Sequence, residues 1–260
     1  MTARRILDLS TLDRAGSVFR EAGRRSALAR QPQPEGSRPP ALKLLLAEFS
    51  SLPGMYRRVR QMPDVPAASR PQRVMLLPGF GAHPARMRPM LDALNAAGHR
   101  AQDWGLGFNL GPTPQNFSYL LARVTRLARE EGQPVVLVGW SLGGVFAREI
   151  ARMRPDAVAK VITMGSPFSG DLRANNGWRA YQMITGHPVE EPPVPCQFAA
   201  KPPVPTVALW SPRDGVVSPR SAAGWPGERD RAVALRCNHL GFPRAPEAIA
   251  AVLAELDRDD

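Results

Sequence analysis

The sequence predicts an α/β fold built around a mostly parallel sheet of about six strands, with helices on both faces. From Arg73 onward, apolar runs of strand length alternate with segments of helical periodicity, a pattern typical of βαβ units. Strands joined in this way run parallel and are covered by helices on both sides. With 260 residues, of which 43% are hydrophobic and 22% charged, the chain can bury one sizeable core.

The first 40 residues differ in composition from the rest. Residues 1–40 are rich in Arg, Ala, Gly and Pro, and their apolar positions fall on no single helical face. This pattern predicts a basic, poorly ordered N-terminal arm with at most a short helix. The globular domain is then expected to span residues 41–260, beginning with a packing helix whose apolar residues recur at helical spacing: Leu42, Leu45, Leu46 and Phe49.

Strands and helices alternate along the remainder of the chain. Strands are predicted at residues 74–77, 100–104, 135–138, 158–164, 204–210 and 232–236, and helices near 85–97, 116–130, 143–153 and 246–256. The segment 166–205 breaks this alternation with many Pro, Gly and Asn residues. A connection of that length is usually functional or disordered. Because it follows the C-terminal end of a strand, we expect it to cover a site there as a lid.

The chain is strongly basic, with a formal net charge of +11. Lys43, Lys160 and Lys201 are the only lysines among 34 basic residues, and the arginines are spread along the chain. No basic run is interleaved with aromatic residues, so a nucleic-acid partner is not predicted. A peripheral contact with an anionic membrane stays open, because the arm carries six arginines: Arg4, Arg5, Arg14, Arg20, Arg24 and Arg25.

Targeting and redox signals favour the cytoplasm. The sequence contains no run of about 18 or more apolar residues, so no transmembrane helix is predicted. Asp8 and Asp13 interrupt what would have to be the apolar core of a signal peptide. Without such a signal, Cys196 and Cys237 are expected to be reduced thiols, although a disulfide between them stays open.

The strongest chemical signal is the sequence VVLVGWSLGG at residues 135–144. Gly139, Ser141 and Gly143 form a G-x-S-x-G motif between an aliphatic strand and a helix, which is the context of a nucleophile elbow. Glycines at these positions let strand and helix approach closely while the serine takes a strained backbone conformation. Leu142, in the first helical turn, would direct a free N–H at an oxyanion. The alternative is a plain turn in which the serine caps the helix.

A serine nucleophile needs a base, and that base needs an orienting acid. Asp214 follows one apolar strand and His239 follows the next, so both would emerge at the same edge of a parallel sheet as Ser141. The alternative for Asp214 is a structural turn pair with Gly215.

Three other histidines compete with His239 for the role of base. His83 lies in the loop after the first strand and His187 in the segment 166–205, so either could contact substrate instead. His99 is expected at the surface, in a helix-to-strand turn. The position of His239 after the last strand favours it as the base.

A second oxyanion donor is expected in the loop LLPGFGAHP, residues 76–84. Gly79 permits a tight reversal there, which would direct the N–H of Phe80 into the site. The alternative is an ordinary loop between a strand and a helix.

On these residues the chain resembles the α/β-hydrolase superfamily, in its lipase and esterase branch. The likeness runs from about Arg73 to the C-terminus and rests on LLPGF, WGLGFNLGP, GWSLGG, VITMGSPFSG, DGVV and NHLGF, in that order. It implies a three-layer α/β-hydrolase fold with a lid insertion at about 166–205. It also implies Ser141 as nucleophile, His239 as general base and Asp214 as its partner. The first strands of the full family sheet have no obvious counterpart before Arg73, hence a sheet of about six.

The predicted activity is hydrolysis of carboxylic esters through an acyl-enzyme intermediate. The resemblance implies that the backbone N–H groups of Phe80 and Leu142 form the oxyanion hole. Neither a metal nor an organic cofactor is predicted, and the expected partner is a small-molecule ester, which could be lipid-like. Three residues are candidates to line the substrate site: Trp140, Phe168 and His83.

Other functions stay open on the same residues. A thioesterase, amidase, acyltransferase or perhydrolase could use the same triad, because only the acyl acceptor or the leaving group differs. An inactive hydrolase scaffold that binds a ligand or a membrane surface is the alternative from a different class. The acyl chain, the alcohol and the oligomeric state are left open by the sequence.

Overall fold

The structure, a computed structural model, describes residues 9–50 and 65–258. The helices of these residues are α1 (Leu9–Ala29), α2 (Leu42–Ser50), α3 (Arg88–Ala96), α4 (Pro114–Glu131), α5 (Leu142–Met153), α6 (Trp178–Thr185), α7 (Pro219–Ala223) and α8 (Pro246–Leu256). The strands are β1 (Arg73–Leu77), β2 (Arg100–Asp103), β3 (Val135–Trp140), β4 (Val158–Met164), β5 (Thr206–Trp210) and β6 (Arg231–Ala234).

The six strands form one sheet in the order β2-β1-β3-β4-β5-β6, and every neighbouring pair is parallel. This confirms the predicted α/β fold, its strand count and its parallel character. Since all strands point the same way, the loops that follow β1, β3, β4, β5 and β6 meet at one edge, the carboxyl edge of the sheet.

Helices cover both faces of the sheet, which gives three layers. Alternate residues of a strand point to opposite faces. Val74 and Leu76 of β1 pack in one core with α3 and α8, while Met75 and Leu77 pack in the other with α4 and α5. These side chains are at most 1% exposed.

Local sequence explains where α4 begins and ends. The side chain of Thr113 accepts a hydrogen bond from the N–H of Asn116, whose side chain in turn accepts from the N–H of Thr113, so the helix starts with a capping box. Gly132 ends the helix in the left-handed conformation, with φ 68°.

The N-terminal region corrects a prediction, because residues 9–29 form the 21-residue helix α1 rather than a poorly ordered arm. This helix packs on α6, from the segment between β4 and β5. Arg24 donates a 2.6 Å hydrogen bond to the carbonyl of Gly186, and Gln182 donates a 2.7 Å hydrogen bond to the carbonyl of Leu28. Contacts with a distant element hold the helix, so its own periodicity did not reveal it. Residues 1–8 lie outside the described residues.

The helix predicted from Leu42 to Phe49 is present as α2, but its orientation differs from the prediction. Leu42, Leu46 and Phe49 are exposed by 67%, 60% and 56%, whereas Glu48 is 1% exposed. A carboxylate rather than the apolar stripe therefore faces the protein.

The segment between β4 and β5 contains α6. Arg148 of α5 ties down its far end by donating hydrogen bonds to the carbonyls of Phe198, Ala199 and Ala200. Among the described helices, none has the length and apolar composition needed to cross a membrane.

Candidate active site

Ser141 lies at the sharp turn between β3 and α5. Its backbone has φ 54° and ψ −124°, and it is the one non-glycine residue with positive φ in the described part of the chain. Such a conformation is strained for a residue with a Cβ and persists only when its surroundings impose it. Here the Ser141 N–H is held by a 2.8 Å hydrogen bond to the carbonyl of Met164 in the neighbouring strand.

Two glycines on either side of Ser141 give the turn its room. A Cβ on Gly139 would collide with the carbonyl oxygen of Gly143, and one on Gly143 would collide with the carbonyl oxygen of Leu77. Strand and helix therefore approach as closely as backbone atoms permit, which is the contact expected of an elbow.

Asp214 and His239, from the loops after β5 and β6, form a buried pair. The Asp214 Oδ2 atom lies 2.8 Å from the His239 Nδ1 atom, and both side chains are at most 3% exposed. The other oxygen, Oδ1, accepts hydrogen bonds of 2.8 and 2.7 Å from the N–H groups of Val216 and Val217. The carboxylate is thus fixed by its own loop and orients the imidazole.

The electrostatic surroundings of His239 favour its charged form. Burial acts to lower the pKa of the imidazole, but the charge of Asp214, its hydrogen bond and the charge of Glu48 outweigh burial. The pKa of His239 is therefore raised above its ordinary value. A raised pKa means that the imidazole holds a proton more tightly, which a base requires if it must carry that proton during a reaction.

Ser141 and His239 line the same cavity, of about 270 Å³. Its wall is mostly apolar and comes from the elbow, from the segment between β4 and β5, and from the loops after β1, β5 and β6. The largest side chains in this lining are Phe80, Trp140, Trp178, Tyr181 and Phe198.

Two backbone N–H groups beside Ser141 could receive an oxyanion. Leu142 is the first residue of α5, so its N–H has no acceptor within the helix. Phe80 lies in the loop after β1, and among the described residues its N–H donates to no backbone carbonyl. The buried side chain of Asn109 braces this loop, donating a 2.7 Å hydrogen bond to the carbonyl of Pro78.

The three substrate-lining candidates fare differently. Trp140 lines the cavity, and its Nε1 atom donates a 3.1 Å hydrogen bond to the backbone carbonyl of His239. Phe168 is fully buried under the guanidinium of Arg148, 4.0 Å from its ring centroid, and lies outside the lining. His83 is exposed and caps a short 3₁₀ helix, accepting a hydrogen bond from the N–H of Ala85. The structure therefore corrects the expectation for Phe168 and His83.

Neither of the remaining histidines lines the cavity. His99 is buried, not at the surface as expected, because its Nδ1 atom accepts a hydrogen bond from the N–H of Gln72. His187 packs its ring against Tyr181, with 5.2 Å between centroids.

Three residues near the site were missed by sequence reasoning. Gly165 follows β4 with φ 56°, and a Cβ there would lie 2.9 Å from Asp214 Oδ2 and 3.1 Å from His239 Nδ1. Asn109 stands in the segment WGLGFNLGP without any periodic signal. Glu48 is the one of the three that the sequence marks, because it is the single acid in LKLLLAEFS.

Both cysteines are free thiols, as expected. Burial is the main cause that raises the pKa of each, Cys196 and Cys237, to about 12. Within residues 9–50 and 65–258, no three His, Cys, Asp or Glu side chains lie together in a way that could hold a metal ion.

Residues 74–259 match the model of a protein family described as the alpha/beta hydrolase family. Two curated proteins also match, both pimeloyl-[acyl-carrier protein] methyl ester esterases. The one from Aliivibrio salmonicida (strain LFI1238) is 31% identical over 108 residues, and the one from Vibrio parahaemolyticus serotype O3:K6 (strain RIMD 2210633) is 32% identical over 111 residues. The matches cover 41% and 42% of this chain and 40% and 42% of those proteins, so the chain spans about two fifths of their length.

A solved structure with the same fold is 2-hydroxy-6-oxo-6-phenylhexa-2,4-dienoate hydrolase from Rhodococcus sp. strain RHA1. Its TM-score is 0.53 at 15% identity, and the alignment covers 74% of this chain and 92% of that one. At this identity the likeness concerns the fold alone.

Proposed function

This chain belongs to the alpha/beta hydrolase family, and from that premise we propose that it is a serine esterase that cleaves small-molecule carboxylic esters through an acyl-enzyme intermediate. The observation that carries the proposal is the buried hydrogen bond between Asp214 and His239 beside a cavity that His239 shares with Ser141. The two curated relatives, named as methyl ester esterases, support the ester as substrate.

In the first half-reaction, His239 takes the hydroxyl proton of Ser141 as the serine oxygen attacks the carbonyl carbon of the ester. Asp214 stabilises the imidazolium that forms, and the N–H groups of Phe80 and Leu142 hydrogen-bond the oxyanion. His239 then gives the proton to the departing alkoxide, so that an alcohol leaves and the acyl group stays on Ser141.

In the second half-reaction, water replaces the alcohol. His239 takes a proton from water as the water oxygen attacks the acyl carbon, and returns a proton to the Ser141 oxygen as the carboxylic acid leaves. Each half-reaction conserves protons, and the enzyme returns to its starting state.

The cavity supports an ester with a short or medium apolar acyl chain. Its volume of about 270 Å³ is at the lower end of small-molecule sites, which run from about 300 to 1,000 Å³. Its wall offers aromatic and aliphatic side chains to an acyl chain, while Ser141 and His239 supply the polar groups.

We further propose that the segment 166–205 acts as a lid. It supplies a large share of the cavity wall, through Pro167, Leu172, Trp178, Ala180, Tyr181, Val189 and Phe198 among others. A cover of this kind limits water at the acyl-enzyme. The same feature would favour acyl transfer to an alcohol if it excluded water well enough, which makes acyltransferase the second candidate.

The test is hydrolysis of p-nitrophenyl acetate, butyrate, octanoate and palmitate by the wild type and by Ser141→Ala. The wild type should prefer butyrate or octanoate, and the variant should lose about 10³-fold or more in kcat, as loss of a triad member does. A fluorophosphonate probe should label only the wild type. Equal activity of the two proteins, or equal labelling, would refute the serine mechanism. Ester formation from an added alcohol in preference to free acid would favour the acyltransferase.

A further inference from the structure

Glu48 is a buried carboxylate beside the catalytic pair that the mechanism above does not use. It lies on α2 and is 1% exposed. Its Oε1 atom accepts hydrogen bonds from the N–H groups of Gly215 at 2.9 Å and His239 at 2.7 Å, and its Oε2 atom accepts one from Leu240 at 2.9 Å. One side chain thereby receives three backbone donors.

These donors belong to two different loops. Gly215 directly follows Asp214 in the loop after β5, while His239 and Leu240 belong to the loop after β6. No other side chain in the described residues accepts hydrogen bonds from the backbones of both loops. Glu48 therefore joins the loop of the acid to the loop of the base, in addition to the hydrogen bond between Asp214 and His239.

The backbone of α2 is docked on the same place. A Cβ on Gly215 would lie 2.5 Å from the carbonyl carbon of Leu44, so only a glycine allows this approach. Asn176 adds a second tie, because its Nδ2 atom donates hydrogen bonds to the carbonyls of Pro40 at 3.1 Å and Gly215 at 2.8 Å. The position of Glu48 is thus built by several contacts.

A buried carboxylate is a costly way to fill space. Burying its charge costs several kcal/mol unless hydrogen bonds compensate, and apolar residues of similar size often serve stability at least as well. Fixed geometry and negative charge are what a carboxylate offers beyond an apolar residue. The geometry and the charge of Glu48 both act on His239: Glu48 accepts its backbone N–H, and its charge acts to raise the pKa of the imidazole.

We propose that Glu48 is a positioning residue, which holds the loops of Asp214 and His239 in register and adds its charge to that of Asp214 in stabilising the imidazolium. The proposal rests on the proposed function for its catalytic meaning. Glu48 lies outside residues 74–259 that match the family model, so this support comes from the chain's own N-terminal region.

Among residues 9–50 and 65–258, the charged neighbours that act on His239 are Asp214 and Glu48. Cys237 lies two residues away, but burial raises the pKa of its thiol to about 12, so it is neutral near pH 7. Glu247 of α8 acts on Cys237 and its carboxylate accepts the N–H of Arg236. The charges of Asp214 and Glu48 both act to raise the pKa of His239.

The test compares Glu48→Gln and Glu48→Asp with the wild type, and uses Glu130→Gln as a control because its carboxylate lies on the surface of α4, 51% exposed. For p-nitrophenyl butyrate, Glu48→Gln should lower kcat by about 10- to 100-fold with KM within about twofold, since a displacement of ~1 Å can cost ~100-fold. Glu48→Asp should recover part of the loss, and Glu130→Gln should behave like the wild type.

A second readout does not depend on activity. The pKa of His239, followed by NMR of the ring and assigned with His239→Gln, should fall in Glu48→Gln and stay unchanged in Glu130→Gln. An unchanged pKa together with unchanged kcat would overturn the proposal. A loss of kcat that is explained entirely by a smaller folded fraction of the variant would also overturn it. If Glu48→Gln does not fold, Glu48→Asp decides by kcat: a fall in kcat at an unchanged folded fraction supports the proposal, and a wild-type kcat overturns it. If the wild type hydrolyses no ester, the proposed function fails, while the titration still decides whether Glu48 acts on His239.

Discussion

His239 shows how burial and charge compete at a single residue. Removal from water disfavours the imidazolium, yet two carboxylates, those of Asp214 and Glu48, more than offset this and raise its pKa. In the proposed mechanism His239 is a general base and acts in its neutral form, so its raised pKa is expected to shift the onset of activity to higher pH. In that mechanism, the raised pKa gives a more strongly basic nitrogen to take the proton of Ser141.

The pH profile tests this residue directly. In the wild type, kcat/KM should rise with pH through an apparent pKa above 6.5, the ordinary value for histidine, because kcat/KM reports the free enzyme. Asp214→Asn removes the main cause that raises the pKa, so burial should bring the apparent pKa down, while kcat falls by about 10³- to 10⁴-fold. The measurement is kcat/KM for p-nitrophenyl butyrate from pH 5 to 9.

Asp92→Asn is the matched control, because Asp92 lies on the surface of α3, 48% exposed, and pairs with Arg88. It should leave both the rate and the profile unchanged. A wild-type profile with an apparent pKa at or below 6.5, or one unaffected by Asp214→Asn, would contradict the assignment of His239 as the base.

At the scale of elements, the sequence revealed those that carry their own periodic signal. The six strands and α8 fall within two residues of their predicted limits; β1, β3, β4, β5 and α8 present buried apolar residues to a core, whereas the edge strands β2 and β6 have no buried residue. The helices α1 and α6 were not predicted from sequence, and in the structure they pack on each other, with hydrogen bonds such as that from the Gln182 side chain to the carbonyl of Leu28. No pattern within either segment encodes such a distant contact.

The same reasoning explains the candidate site. Ser141, Asp214 and His239 could be proposed from sequence because parallel strands end at one edge and the motif order is informative. The roles of the supporting residues could not be proposed in this way, because Glu48 and Asn109 act on backbone groups far away in the chain; only the position of Glu48 as the single acid in LKLLLAEFS marked it in the sequence. The predicted orientation of α2 was wrong for the same reason. The helix buries Glu48, which accepts three backbone hydrogen bonds, and leaves most of its apolar stripe exposed.

Arg148 links two elements whose separation would open the cavity. Its guanidinium is buried and donates to three carbonyls at residues 198–200 and to that of Glu228 at 3.0 Å. Burial lowers its pKa to about 10, which still leaves it charged near pH 7. It therefore fastens the end of the segment between β4 and β5 to α5.

Replacing this arginine should loosen the segment without touching the triad. Arg148→Met keeps much of the apolar volume but removes the hydrogen bonds from the guanidinium to these carbonyls, which costs on the order of 1–3 kcal/mol. We expect a lower Tm, a higher KM for p-nitrophenyl octanoate and faster proteolysis within 190–200. Arg126→Met, at a site 58% exposed on α4, is the control. Cleavage of Arg148→Met at the control's rate would show that the segment is held by other contacts.

At the scale of the whole molecule, the basic charge is almost entirely arginine. Lysine provides three of the 34 basic residues, so the positive charge changes little until the pH is well above 10. The neutral thiols behave differently. Burial raises the pKa of Cys196 and Cys237 from 9.0 to about 12, so the folded protein keeps these protons where an unfolded chain loses them.

This difference sets the sign of the alkaline response. Between pH 9 and 10 the folded state binds more protons than the unfolded state, so the free energy of unfolding falls as pH rises. Arginine keeps the net charge nearly constant over this window, and relief of charge repulsion therefore does not mask the effect.

Urea unfolding with a reducing agent at pH 8, 9 and 10 should show a steeper loss of stability in the wild type than in the Cys196→Ala/Cys237→Ala variant. The slope with pH is the readout, because the two alanines also change the absolute stability by removing buried side chains. Tyr119→Phe, at a side chain 37% exposed, should keep the wild-type slope, and parallel slopes for wild type and double variant would rule out the thiols as the cause.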